Sequence, residues 1–250
     1  NFFLAFFPSI IVFFTLIPYI PIDGFQQTLM EIISNVLPPS TNSATFSTLE
    51  DIINNQRGGL LSIGFILALY FSTNGMSSLI QAFNSSYHIR ENESIIKHQM
   101  LSILLTIVIS ALVFLTIILI IFGKAAIIYM IDYQLINENK LVLLNAAKWV
   151  ILILMLFLGI TTIFNLGPAI KSQIKIFSPG AILATLFIIL TSIVFSYYID
   201  NFSQYNKIYG SIGTLIIILL WIYFNAIFLL IGFELNASIF NAKKNLTDKL

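Results

Sequence analysis

One stretch of the sequence, residues 70–88, places polar side chains at helical spacing inside an otherwise apolar chain. With 3.6 residues per turn, these side chains fall within an arc of about 120°. They are Tyr70, Asn74, Ser77, Ser78, Gln81, Asn84, Ser85 and His88. Amides and hydroxyls inside a bilayer need hydrogen-bonding partners, so this stripe cannot simply face lipid tails. It predicts either a wetted cavity open to one side of the membrane or hydrogen-bonded packing between helices.

Glu234 is a second candidate, because a carboxylate at membrane depth is costly and usually needs a reason. A helix rises about 34 Å between Ser211 and Glu234, whereas the hydrocarbon core is about 30 Å thick. Glu234 is therefore expected near a membrane boundary. It either pairs with a basic residue of the neighbouring turns or faces the same cavity as the polar stripe. Gly232 and Asn236 fall on the opposite side of this helix, which suits a helix packed between two neighbours.

The composition excludes an ordinary soluble domain, which carries about 25% charged residues. Here 9% of the 250 residues are charged and 58% are hydrophobic, with a mean hydropathy of +0.95. The apolar residues form runs of about 20, which is enough to cross a bilayer. The fold class expected is all-α, a polytopic membrane protein with six transmembrane helices.

The predicted spans form a single domain over residues 1–250, and a polar segment joins the first two of them. Within that segment, Phe25 to Val36 show helical periodicity and Ser47 with Glu50 has the spacing of a capping box. We therefore expect short amphipathic extracytoplasmic helices there. Because the chain starts inside an apolar run, we also expect a cytoplasmic segment before Asn1. The spans are residues 1–20, 60–87, 100–122, 141–166, 181–199 and 211–239, and the polar segment is 21–59.

Basic residues predict the orientation, because Lys and Arg concentrate in cytoplasmic loops. The turns after the second and fourth spans, together with the C-terminal tail, carry seven of them, and the opposite side carries four. Both termini are therefore predicted to be cytoplasmic. The seven are Arg90, Lys97, Lys171, Lys175, Lys243, Lys244 and Lys249, and the four are Arg57, Lys124, Lys140 and Lys207.

Few residues could support metal or covalent catalysis. The chain has no cysteine and two histidines, which excludes disulfides, thiolate ligands and iron–sulfur clusters. No cluster of Asp, Glu and His suggests the converging ligands that a metal-dependent nuclease needs. No basic patch is large enough to bind nucleic acid. We expect no enzymatic activity, no cofactor and no nucleic-acid partner.

The last span, "YGSIGTLIIILLWIYFNAIFLLIGFELNASIF", resembles the last span of the YihY/BrkB integral membrane proteins, once labelled ribonuclease BN. "SPGAILATL", residues 178–186, resembles the start of the fifth span in that family. The residues of this stretch also predict a helix start, with Ser178 as N-cap and Pro179 at the first helical position. The resemblance implies a multi-pass protein of the bacterial inner membrane with six helices and cytoplasmic termini. It implies no settled activity, although family members look like transporters or lipid-handling proteins. The matching signature residues are Tyr209, Gly210, Gly213, Trp221, Gly232, Glu234 and Asn236.

Two functions remain open from the sequence. The first is passage of a small or amphiphilic substrate, such as a lipid, through a cytoplasm-facing polar cavity formed by the second, fourth and sixth spans. The second is a membrane scaffold without transport, which binds envelope proteins through residues 21–59 while the polar stripe serves only in packing. Membrane lipids are the expected partners in either case. The expected cavity lining is Asn74, Ser77, Ser78, Gln81, Asn84, His88, Asn165 and Glu234.

Overall fold

The computed structural model describes residues 2–19, 50–86, 94–132, 138–169, 176–201 and 211–247. Within these ranges all regular structure is helical and no strand occurs. A 3₁₀ turn, Ile17–Tyr19, follows the first helix. The helices are α1 (Phe2–Leu16), α2 (Gly58–Ser86), α3 (Ile95–Asp132), α4 (Glu138–Leu166), α5 (Pro179–Asn201) and α6 (Ser211–Thr247).

The helix lengths confirm the all-α polytopic membrane class. Five helices, α2 to α6, are long and apolar enough to cross a membrane, and α1 is a shorter apolar helix. Helices α3 and α6 continue to Asp132 and Thr247, past the predicted span ends at 122 and 239. A helix can leave the hydrocarbon and continue in water, so the predicted span limits stay predictions.

The outward surfaces of the helices carry large apolar side chains. Phe114 on α3 is 66% exposed, and Trp149 on α4 and Ile193 on α5 are exposed to a similar degree. A soluble protein rarely exposes apolar area on this scale. The side chains that look exposed therefore face lipid, and the bilayer completes their burial.

Residues 1–75 form one compact unit, which holds α1, the 3₁₀ turn and the first part of α2. Gly64 of α2 is buried, and a Cβ there would lie 3.2 Å from Cγ2 of Ile11 on α1. Close approach of these helices thus depends on a residue without a side chain. Residues 50–54 are helical, which agrees with the helix expected after Ser47. The rest of the predicted extracytoplasmic segment, residues 21–49, lies outside the described residues.

Residues 76–250 form the second unit, with the end of α2 and helices α3 to α6. Three aromatic rings meet at its centre. Phe83 stacks on Phe233 with ring centroids 4.1 Å apart, and Phe164 meets each of them edge-on at 5.5 Å. All three side chains are buried, so an apolar core joins α2, α4 and α6. Because the described residues group into two units, the single domain over 1–250 stays a prediction.

Candidate functional site

The polar stripe of α2 divides into two edges between Met76 and Ser86. Ser77 is half-buried and Asn84 is 2% exposed. Ser78, Gln81 and Ser85 are exposed. The stripe is therefore not a uniform lining. One edge packs against the rest of the bundle and the other edge faces outward.

Asn84 belongs to the packed edge and holds the turn that follows α4. The helix ends at Leu166, and the backbone N–H of Ala169 donates to Asn84 Oδ1 at 2.9 Å. Gly167 makes the turn close-fitting, because a Cβ there would lie 2.6 Å from the Ile163 carbonyl oxygen. The amide oxygen that was expected to line a cavity thus satisfies a backbone donor left over at a helix end. Asn84 acts in packing.

Ser77 also belongs to the packed edge, where it meets His98 of α3. Ser77 Oγ lies 2.8 Å from His98 Nε2, and His98 is 9% exposed. Along α3, the buried hydroxyls of Ser102 and Thr106 donate to the carbonyl oxygens of His98 and Ser102. Sequence reasoning missed His98. Ser77 and His98 are 21 residues apart on different helices, and helical spacing within one segment does not indicate this contact.

The exposed edge consists of Ser78, Gln81 and Ser85, which are spaced at i, i+3 and i+7 and so share one side of the helix. Ser85 Oγ donates to the Gln81 carbonyl oxygen at 3.0 Å. Helix α2 has 29 residues and is about 43 Å long, compared with a hydrocarbon core of about 30 Å. A core centred on the helix reaches roughly ten residues from its middle. In a core so centred, Ser78 and Gln81 lie inside the hydrocarbon, and Ser85 lies about 4 Å beyond its edge.

Of the remaining predicted lining residues, Asn165 and Glu234 lie on other helices, α4 and α6. Asn74 is half-buried in the first unit, and His88 lies outside the described residues. Asn165 is half-buried and donates through Nδ2 to the Thr161 carbonyl oxygen on its own helix at 2.9 Å. Glu234 is exposed, and no ion pair involves it among the residues that the structure describes.

Where the second, fourth and sixth helices meet in the described part of the chain, the rings of Phe83, Phe164 and Phe233 pack on one another. Aromatic rings bury large areas and pack edge-on or offset, so an apolar core occupies this place. The polar cavity expected between these helices stays a prediction. The sequence does not indicate which three of its 23 phenylalanines form this core.

Gly180 of α5 and the signature residue Gly232 of α6 meet where α5 begins. A Cβ on Gly180 would lie 1.9 Å from the Gly232 carbonyl oxygen, and a Cβ on Gly232 would lie 2.5 Å from the Gly180 carbonyl oxygen. A Cβ on Gly232 would also lie 2.8 Å from Cβ of Ala184. No real side chain tolerates these distances, so the backbones of α5 and α6 are in direct contact. Small residues permit such approach between membrane helices.

Asn236 completes this contact by capping α5. Its Oδ1 accepts a hydrogen bond from the N–H of Gly180 at 2.8 Å, and its Nδ2 donates to Ser178 Oγ at 2.9 Å. Ser178 Oγ in turn accepts from the N–H of Ala181 at 3.2 Å. The first N–H groups of a helix have no partner within it, and two of them are satisfied here. Ser178 as N-cap and Pro179 as first helical residue agree with the sequence prediction. We call residues 178–180, 232 and 236 the α5/α6 junction.

Two segments that the sequence analysis identified separately, residues 178–181 and 232–237, lie against each other in the structure. "SPGA" and "GFELNA" face each other. Gly232 of the second segment contacts the backbone of the first, and Asn236 accepts a hydrogen bond from the N–H of Gly180. Phe233, between them in sequence, points into the aromatic core, whereas Glu234 points away. Gly232 and Asn236 thus lie opposite Glu234, as helical spacing predicted.

No metal site is evident in the described part of the chain, where no three or more His, Asp or Glu side chains come together. The ion pair between Asp51 and Arg57 lies in the first unit, far along the chain from the α2 edge. The absence of enzymatic activity and of a cofactor stays a prediction.

Membrane-length apolar helices, a dry core and polar groups placed at helix contacts define a polytopic helical membrane protein. A family model described as "Virulence factor BrkB" matches residues 1–249. The chain belongs to this family, which confirms the resemblance noted in the last span.

Relatives support the same assignment. The chain is 32% identical over 243 residues to a "ribonuclease-like protein", YfkH, of Bacillus subtilis, with 97% of this chain and 88% of the relative covered. It is 27% identical over 218 residues to a UPF0761 membrane protein of Idiomarina loihiensis, with 87% and 72% covered. No solved structure matches the chain significantly.

Proposed function

We propose that this protein lets an amphiphilic molecule, such as a membrane lipid, pass through the bilayer along the exposed edge of α2. The observation that carries the proposal is the placement of Ser78, Gln81 and Ser85, which are exposed and aligned on a membrane-spanning helix. A polar headgroup at this depth loses its water, which costs several kcal/mol without compensating hydrogen bonds. Hydroxyl and amide groups along its path offset part of that cost.

An edge on the bundle surface suits an amphiphile better than a small solute. The headgroup follows the polar side chains while the acyl chains stay in the surrounding lipid. The apolar core of Phe83, Phe164 and Phe233 then remains closed throughout, and no water-filled pore through the bundle is needed. Gln81 is the most important residue in this proposal, because its amide offers both donors and an acceptor.

The test is lipid exchange in vesicles that contain the purified protein. A fluorescent phospholipid in the inner leaflet becomes accessible to a membrane-impermeant quencher only when it crosses the bilayer. We expect faster crossing with the protein than in empty vesicles. Gln81→Leu should slow it several-fold. Ser110→Leu is the matched control, because Ser110 is an exposed hydroxyl on α3, away from the stripe.

Two results would reject the proposal. One is no crossing above the level of empty vesicles, and the other is equal rates for the wild type and Gln81→Leu. Either would favour the alternative in which the protein is a scaffold that binds envelope partners through residues 21–59. In that case deletion within 21–59 should release co-purifying partners while Gln81→Leu retains them.

We further propose that the protein lies in the bacterial cytoplasmic membrane with both termini in the cytoplasm. The distribution of Lys and Arg supports this orientation. The chain contains no cysteine, so a single one can report it. In intact cells Lys243→Cys should resist a membrane-impermeant maleimide and react only after lysis. Labelling of intact cells would reverse the proposed orientation.

A further inference from the structure

Helices α5 and α6 touch at one end and separate toward the other. At the α5/α6 junction their backbones are in contact through Gly180 and Gly232. Farther along, large rings lie between them. The centroids of Phe187 and Phe228 are 4.9 Å apart, and those of Phe195 and Phe224 are 6.1 Å apart. Residue size thus sets the distance between the two helices. Glycines let the backbones touch at one end, and phenylalanine rings keep the helices farther apart beyond it.

The separation opens a groove of about 300 Å³. This is the lower end of the range for small-ligand pockets, about 300–1,000 Å³. Its walls belong to the two helices, and it shares no residue with the exposed edge of α2. The lining residues are Ser192, Phe195, Ser196, Ile217, Ile218 and Trp221.

We propose that this groove binds one acyl chain of a membrane lipid, in the leaflet opposite the α5/α6 junction. Twelve to sixteen residues separate Gly180 from Ser192 and Ser196, which corresponds to about 18–24 Å along the helix. In a hydrocarbon core of about 30 Å, the groove therefore lies in the far half of the membrane. The junction itself lies at the near boundary, where α5 begins.

The lining selects a hydrocarbon chain. Four of its six residues are apolar and none is charged. The hydroxyl of Ser192 already donates to the Ile188 carbonyl oxygen at 2.9 Å, so it demands no further acceptor. A headgroup would find no ionic partner here, and burial of a charge without one is very costly.

The surroundings exclude the other kinds of occupant. Ile193 and Leu220, each next in sequence to a lining residue, are 61% and 44% exposed, as expected of side chains that face lipid tails. A helix from a second copy has a diameter of about 10 Å with its side chains. Such a helix can lie over a groove of 300 Å³ but cannot enter it. An acyl chain is a single file of methylene groups and fits along it.

The proposal also gives a role to Trp221, a signature residue that the junction does not use. Its side chain lines the groove and is 41% exposed. An indole can pack its face on an acyl chain and so make one wall of a tail site. The chain has one other tryptophan, Trp149, which is 62% exposed on α4 and lines no part of this groove.

These two tryptophans make the test possible. Trp149→Phe leaves Trp221 as the only tryptophan, and Trp221→Phe leaves Trp149 as the matched control. Each variant is reconstituted in vesicles in which a phospholipid with brominated acyl chains replaces the ordinary phospholipid in steps. Bromine quenches tryptophan fluorescence on contact. We expect Trp221 to be half-quenched at a several-fold lower fraction of brominated lipid than Trp149, because a bound chain stays beside it.

A second variant fills the groove. Ser196→Leu in the Trp149→Phe background should make quenching of Trp221 proportional to the brominated fraction, as for a residue in contact with bulk lipid only. If that variant is not monodisperse, Ile217→Phe fills the opposite wall with the same expected result. Equal half-quenching of Trp221 and Trp149, or steep quenching that survives a filled groove, would overturn the proposal. Neither readout requires lipid to cross the membrane, so failure here is distinguishable from failure of the proposed function.

Discussion

Asn84 and Gln81 are three residues apart on α2, and their amides have different surroundings. Asn84 is 2% exposed and accepts a hydrogen bond from the backbone of Ala169. Gln81 is exposed on a helix of membrane-spanning length. The same contrast separates Ser77, which meets His98, from the exposed Ser78. A rotation of less than half a turn thus divides polar groups used in packing from polar groups directed outward.

Packing and a polar path are therefore not mutually exclusive roles for one polar stripe, because its two edges can serve different ends. Polar side chains join helices where they satisfy a donor left over at a helix end or a side chain of a neighbour. They stay exposed where no neighbouring helix packs on them. The α5/α6 junction shows polar groups used in packing most clearly, because its polar side chains and its glycines all make contacts between the two helices. Substitutions in the two regions should therefore affect different quantities.

The largest effect is expected from Gly180→Ala at the α5/α6 junction. The new methyl group would collide with the Gly232 carbonyl oxygen, so the helices must separate. Overpacking commonly costs 1–3 kcal/mol, and we expect about 3 kcal/mol or more here, because the obstacle is backbone. Thermal unfolding in detergent, followed by circular dichroism, measures it.

Gly159→Ala on α4 is the control for this substitution. A Cβ there meets only Cδ1 of Ile109 at 3.9 Å, an ordinary contact. Alanine also favours a helix over glycine by about 1 kcal/mol, so this variant should be as stable as the wild type or more stable. Equal stability of the two alanine variants would show that the backbones of α5 and α6 are not in contact.

A smaller effect is expected from Asn236→Leu. It leaves the N–H of Gly180 without its acceptor and removes one of the two donors to Ser178 Oγ, the other being the N–H of Ala181. Loss of a cap and burial of an unsatisfied donor together destabilise by about 2–3 kcal/mol. The helix should begin later, with a matching fall in unfolding temperature.

Asn225→Leu on the same helix provides the comparison. Asn225 Oδ1 is buried and has no hydrogen-bond donor among the described residues, while its Nδ2 donates to the Trp221 carbonyl oxygen. Removal of an unsatisfied acceptor should leave stability unchanged or raise it. A loss as large as that of Asn236→Leu would mean that Asn225 has a partner of its own.

Substitutions on the two edges of α2 should have different effects on stability. Asn84→Leu should destabilise by about 1–2 kcal/mol, because the N–H of Ala169 loses its acceptor. Gln81→Leu should change stability by less than about 0.5 kcal/mol, since it replaces an exposed side chain. The proposed lipid exchange should respond in the reverse order, most strongly to Gln81→Leu. If both variants unfold alike, the distinction between the edges fails.

The sequence predicted those parts of the fold that depend on local chemistry. Apolar runs of about 20 residues located the membrane helices, and Ser178 with Pro179 marked the start of α5. Helical spacing also placed Gly232 and Asn236 together, away from Glu234. Each of these features depends on residues within a single helix.

The cross-helix contacts were beyond sequence reasoning. Asn84 and Ala169 are 85 residues apart, and Asn236 and Gly180 are 56 apart. Which face of a membrane helix meets which neighbour depends on its rotation and tilt, and neither is encoded in the period of a single segment. The polar stripe therefore looked uniform in sequence, although the bundle covers only one edge of it.

The smallest effect is expected for Glu234→Gln. Glu234 is exposed, and a helix rise of about 34 Å from Ser211 places it at the membrane boundary, where a carboxylate reaches water. The amide keeps the shape and the hydrogen-bonding capacity, so the unfolding temperature should correspond to a change of less than about 0.5 kcal/mol. Lipid exchange should also remain within twofold of the wild type, since Glu234 does not join the exposed edge. A larger loss of stability would reveal a basic partner, such as Arg90, Lys171 or Lys175 in the neighbouring turns, whereas a selective loss of exchange would extend the proposed polar path to α6. The first result would assign Glu234 to the polar groups used in packing, as Asn84 is, and the second would assign it to the exposed polar groups, as Gln81 is.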